Sequence, residues 1–236
     1  MTDLSCLLAG LTNLLGPLLL LIFWHKRTGA RILPAPAALA VCLPVFIVAG
    51  AIRAGFDRSD HLSFYLQQAL LYGIFEEGSK FVMLRWLLRS YDHRRDAVTY
   101  AIGHSAFESI GSGLACINLI GTGRAAADIF PVNLFGFIEG AAFCIGVTVL
   151  IFYGIQMNKS LIMLPLAVFL HFLGNLAGAL FIMPVSMAIR LLMTAGICYA
   201  AYRCYRCWEP PMNMKHIYSV QCVFCTALQS HIDRKE

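Results

Sequence analysis

Charge is scarce in this chain. Asp, Glu, Lys and Arg make up 13% of its 236 residues, against 59% hydrophobic residues. Soluble domains carry about 25% charged residues, so a water-soluble globular domain is excluded. No basic stripe with interleaved aromatics is present, which removes nucleic acid as a partner. An internal repeat, a low-complexity tract and an HExxH pair are also missing. The first apolar stretch, LSCLLAGLTNLLGPLLLLIFW, has no basic residue before it and no small-residue cleavage site after it. It therefore reads as a retained helix and not as a signal peptide.

Apolar length is what the chain has instead. Its mean hydropathy is +0.71, and seven apolar segments can be drawn at about 4–24, 35–55, 63–89, 97–120, 131–156, 160–183 and 186–203. Each approaches the roughly 20 residues that a bilayer-spanning helix needs. The expected fold is all-α: a polytopic membrane bundle of about seven transmembrane helices. Lys26, Arg27, Arg31, Arg85, Arg89, Arg94, Arg95, Lys159, Arg203 and Arg206 fall in alternate connections and the tail. The other connections hold Arg53, Arg58 and Arg124 beside Asp57, Asp60 and Asp128. Because basic loops stay cytoplasmic, the N-terminus is expected outside and the C-terminus inside. The net charge of +5 thus reports topology. The expected location is integral and multi-pass, in a bacterial inner membrane with lipid as a partner.

Residues 1–203 form the expected membrane body and 204–236 a short cytoplasmic tail. In that tail Cys204, Cys207, Cys222 and Cys225 make C-x2-C-x14-C-x2-C, a spacing close to that of a zinc ribbon. Zinc on these four thiolates is one reading, and an amphipathic or lipid-modified juxtamembrane stretch is the other.

Polar residues inside the spans carry the functional signal. Glu76 and Glu77 stand side by side in YGIFEEGSKFVML, with Lys80 one turn on. His104 and Glu108 are four apart, on one helix face that Ser112 extends, and so are His171 and Asn175. Glu139 lies in FGFIEGAAF. At about 1.5 Å per residue, these groups fall roughly 10–20 Å from their helix ends, in one layer. An ionisable residue in hydrocarbon costs at least about 2.5–3 kcal/mol, so such groups face the interior, pair, and line wet cavities. Individually, Glu76 with Lys80 is also explained as an ion pair between helices, and His171 with Asn175 as packing glue. Collectively, two histidines, four acids and an amide at one depth point to a site.

Peptide hydrolysis needs a held water, a base and donors for the oxyanion. Adjacent carboxyls can divide acid and base roles. Imidazoles with carboxylates are equally ordinary zinc ligands, and His104, Glu108 and His171 are the candidates for such a divalent ion. Water activated by glutamate and water activated by metal both remain open at this point.

The ordered set EEGSK, GHSAFES, FIEGAAF and HFLGN resembles the YhfC family of intramembrane peptidases, itself similar to PrsW proteases and the CAAX prenyl endopeptidase group. That resemblance implies that Glu76 or Glu77 and His104 handle the water and that His171 and Asn175 form the oxyanion site. Glu108 matches the acid of the family's Gly-His-x-x-x-Glu pattern, while Lys80, Glu139 and Ser112 would support the site or its substrate. It further implies an intramembrane endopeptidase acting on membrane-embedded or lipid-anchored polypeptides, near the cytoplasmic side. Two departures stand out. Gly140 follows Glu139 where the family has arginine, with Cys144, Gly146 and Val147 where a histidine is usual, and Asn175 replaces a common aspartate. A proton- or ion-coupled transporter and an inactive scaffold of the same fold are the competing functions.

Overall fold

The computed structural model describes residues 2–124 and 126–207. These form seven α-helices: α1 (Thr2–Thr28), α2 (Pro34–Ala54), α3 (His61–Val82), α4 (Arg94–Asn118), α5 (Ile129–Gln156), α6 (Ser160–Leu180) and α7 (Met183–Cys207). A π-helical segment, Met83–Leu87, prolongs α3. No strand occurs among the described residues. Five helices, α1, α2, α5, α6 and α7, are long and apolar enough to cross a bilayer. Their outer faces leave large apolar side chains bare, with Leu161 93%, Leu192 75% and Phe23 63% exposed. So much uncovered apolar surface marks a surface that meets lipid. The protein is an integral membrane helix bundle.

The remaining helices, α3 and α4, are the less apolar ones, and they hold the paired glutamates and His104. Position explains how a polar helix is tolerated. Helix α4 packs against α1, α2 and α5 and buries every residue from Asp96 to Ser105. A helix enclosed by protein on several sides does not need a lipid-compatible surface.

Contacts at the helix ends sort the connections into two layers. At one end Trp24 Nε1 donates to Arg95 O at 3.1 Å, Arg31 grips Asp96, and Arg94 donates to Tyr205 O. This end bears Lys26, Arg27, Arg94, Arg95, Lys159 and Arg203 and is called the basic end here. At the far end Gly121 N donates to Asp3 Oδ1 at 3.0 Å. The apolar core lies in the half next to the basic end, where Tyr100, Ile102, Ile151, Met163 and Ile197 interlock.

Helix α7 runs past residue 203, where the apolar segment was expected to stop, and Cys204 is buried in this core. Cys207 closes the helix. Its side chain, together with Cys222, Cys225 and the zinc site expected on them, lies outside the described residues.

Candidate active site

Two close helix crossings assemble the site. At Gly103 a Cβ would fall 2.1 Å from Ala35 O, so α4 can lie this near α2 only without a side chain there. The next residue, His104, then meets Cys42 of α2, with Nδ1 and Sγ 3.3 Å apart. At Gly73 a Cβ would come within 3.0 Å of Val168 O. One turn further on, α3 presents its two acids to His171 of α6. Small residues of this kind are the usual means of close helix approach in membranes.

The acids face different neighbours. Glu77 is fully buried, and its Oε1 accepts from Lys80 Nζ at 2.7 Å and pairs with His171 Nδ1 at 2.6 Å. Glu76 points its Oε2 between two imidazoles, 3.7 Å from His104 Nε2 and 3.7 Å from His171 Nε2. Both Glu76 Oε2 and His104 Nε2 are buried without a hydrogen-bond partner. Buried orphans of this type are uncommon and call for an explanation.

A cavity of about 70 Å³ adjoins these atoms, enough for a few waters. Glu76, Lys80, His104, Glu108, Glu139, His171 and Asn175 all line it. The sequence candidates therefore converge, with two exceptions. Glu77 sits behind His171 instead of facing the cavity, and Ser112 lines a neighbouring, larger cavity. Glu108 and Asn175 are exposed to the open space, whereas the groups around Glu76 are buried.

Helix α7 supplies what sequence reasoning passed over. Arg190 Nη2 pairs with Glu139 Oε2, and Thr194 Oγ1 donates to Glu139 Oε1 at 2.7 Å. The arginine absent after Glu139 in the chain is thus matched in space by one from another helix. The signal was available: Arg190 is an isolated charge in the apolar run MPVSMAIRLLMTAG, and charges in spans mark sites.

Residues 38–129 match the family model of the YhfC intramembrane metalloproteases. This YhfC match runs through α2, α3 and α4, the helices that carry Cys42, Glu76, Glu77, Lys80, His104 and Glu108. Glu139, His171, Asn175 and Arg190 lie beyond it and join the YhfC-matched helices only in three dimensions. No curated protein and no solved structure matches the chain.

Metal is implied by the YhfC description, and the donor set suits it. A carboxylate oxygen and two imidazole nitrogens are ordinary zinc ligands. His171 has its Nδ1 engaged by Glu77, which leaves Nε2 as the ligand nitrogen, the usual arrangement of a carboxylate behind a metal-bound histidine. Cys42 Sγ lies 3.9 Å from His104 O as a donor and 3.3 Å from His104 Nδ1. With the Cys42 S–H donating to the His104 carbonyl, Nδ1–H can donate to sulfur, and Nε2 of His104 then keeps its lone pair. The 3.7 Å separations are a few tenths of an ångström wider than the about 3.4 Å between ligands of tetrahedral zinc. Among the described residues no three His, Cys, Asp or Glu side chains stand close enough together to hold an ion as they are.

Proposed function

We propose that the protein is an intramembrane peptidase that hydrolyses peptide bonds of membrane-embedded or lipid-anchored polypeptides, with a divalent metal held by Glu76, His104 and His171. The observation that carries this reading is the pair of partnerless buried atoms, Glu76 Oε2 and His104 Nε2, 3.7 Å apart beside a cavity. When bound, the metal would supply Lewis-acid polarisation of water and of the scissile carbonyl.

The chain's own groups then divide the remaining work. Glu77 fixes the tautomer and tilt of His171 through Nδ1, and Lys80 holds Glu77 in place. Glu108 lines the cavity one turn beyond His104 and is the carboxylate with open space around it. It takes a proton from the attacking water and returns it to the leaving amine. Asn175, also facing the cavity, donates to the developing oxyanion. Since His171 is engaged by Glu77, the oxyanion role expected of it passes to Asn175. Seven crossings, with the basic end in the cytoplasm, fit the loop charges. A peptidase also accounts better than a transporter for the YhfC match.

Metal analysis of the purified protein tests the reading directly. The expected result is about one zinc per chain, lost in Glu76→Gln, His104→Ala and His171→Ala, with cleavage of a quenched peptide in liposomes lost in parallel. Full cleavage after exhaustive chelation would instead make Glu76 the base of a metal-free mechanism. Ion flux without cleavage would favour transport.

A further inference from the structure

The two halves of the bundle differ. Next to the basic end, α4, α5 and α7 interlock through Tyr100, Ile102, Ile151, Phe152 and Ile197. The far half is hollow. The central cavity shares Glu108, Gly140 and Arg190 with a second cavity of about 510 Å³. This one reaches Phe181 and Met183, where α6 gives way to α7 at the far end. A third, of about 240 Å³, shares Glu76, Glu108 and Asn175 with the first and extends to Tyr65 and Ala179. Both branches lead away from the basic end.

The lining of the larger cavity is unusual for a membrane interior. Asn13, Ser105, Ser109, Ser112, Asn133 and Ser186 all face it. Asn13 and Asn133 each give their amide N–H to a carbonyl one turn back, Ala9 O at 3.0 Å and Ile129 O at 2.9 Å. Their amide oxygens remain to accept. At the inner end stands Arg190, its side chain 37% exposed and anchored by Glu139. An unfolded peptide brought into a membrane must have its backbone N–H and C=O groups paired. Amide oxygens along the walls and a guanidinium at the inner end supply acceptors and donors for that purpose.

We infer that the centre is served from the end poor in basic residues, and that its substrate is a polypeptide presenting an extended segment at that face of the membrane, laid along this cleft with Arg190 as inner anchor. By the distribution of basic residues this face is the non-cytoplasmic one. The inference rests on the peptidase reading for its substrate, but not for its route of access. It reverses the expectation of cutting near the cytoplasmic side. From Arg190 to Met183 is about 10 Å along α7, which an extended strand covers in about three residues. A binding segment of that length on one side of the scissile bond follows. Arg190 acts here by binding backbone carbonyls of the strand.

Cysteine accessibility in oriented vesicles tests the route. Ser112→Cys and Asn133→Cys line the cleft, Thr122→Cys marks the far end, and Met157→Cys marks the basic end. With a membrane-impermeant maleimide and the unsubstituted protein as background, both cleft variants should label at least tenfold faster in the vesicle orientation that exposes Thr122→Cys. Labelling in the orientation that exposes Met157→Cys, or none while Thr122→Cys reacts, overturns the route. Two tethered reporters, cleavable at one or the other membrane face, test the substrate assignment. Cleavage of the reporter at the far-end face is expected, and cleavage only at the basic face overturns it. If labelling succeeds and neither reporter is cut, the peptidase reading and its substrate fall while the access route stands.

Discussion

Glu77 of α3 and His171 of α6 meet at 2.6 Å, Oε1 to Nδ1, across 94 positions of sequence. Lys80 Nζ joins the same oxygen at 2.7 Å. All three groups are buried, so each depends on the others for its partner. This contact orients one of the two imidazoles that face Glu76, and it couples the geometry of the site to the stability of the bundle.

Lys80→Met should strand a buried carboxylate. Breaking a buried pair from one side costs about 3–5 kcal/mol. The double variant Glu77→Gln/Lys80→Met should lose clearly less than the sum of the two single losses, read as unfolding in detergent. Additive losses would show that the pair is not coupled.

On the metal site proposed above, Glu77→Gln should weaken zinc binding by about 10–100-fold, as removal of a group behind a ligand histidine does. It should spare the ligand atoms themselves. A competitive chelator titration of the purified protein reads the difference, and an unchanged affinity would remove Glu77 from the metal's support.

Gly103→Ala should disrupt the α2–α4 crossing. The added Cβ would lie 2.1 Å from Ala35 O, and backbone cannot yield as a flexible side chain does. Overpacking costs about 1–3 kcal/mol or more. Gly111→Ala on the same helix has open space around its Cβ and should leave Tm unchanged or slightly raised. Equal behaviour of the two variants would contradict the crossing.

Thr194→Val should leave Glu139 Oε1 without its donor, since Thr194 Oγ1 is its partner at 2.7 Å. An unsatisfied buried acceptor costs about 1–3 kcal/mol. Thr194→Ser retains the hydroxyl and should restore most of the loss. If serine and valine behave alike, the hydrogen bond carries no stability.

His93, in the connection before α4, accepts from Arg95 N through Nδ1 at 3.2 Å and caps the helix. Partial burial, aided by the Arg95 charge, holds its pKa below the ordinary 6.5. The unfolded chain therefore takes up a proton first as pH falls. The cap's contribution is present above about pH 6.5 and declines as pH drops below it. His93→Asn keeps a capping oxygen that does not titrate in this range. Thermal unfolding between pH 7.5 and 5.5 should show a smaller loss for the asparagine variant, and identical slopes would exclude the cap as the cause.

The amino-acid sequence by itself determined the helical membrane character of the chain and named most of the side chains that line the candidate site. Glu76, Glu77, His104, Glu108 and His171 were legible because charge in hydrocarbon is costly, so residue type alone marks them against an apolar background. Helical period placed His104 with Glu108 and His171 with Asn175 on shared faces. Tertiary structure alone decided that Glu77 turns behind His171 while Glu76 faces the cavity, that Arg190 completes Glu139 from another helix, and that the hollow half lies away from the basic end. Those outcomes depend on how α2 and α4, and α3 and α6, rotate and approach at Gly103 and Gly73. Such contacts join residues far apart in the chain, and no local spacing encodes them.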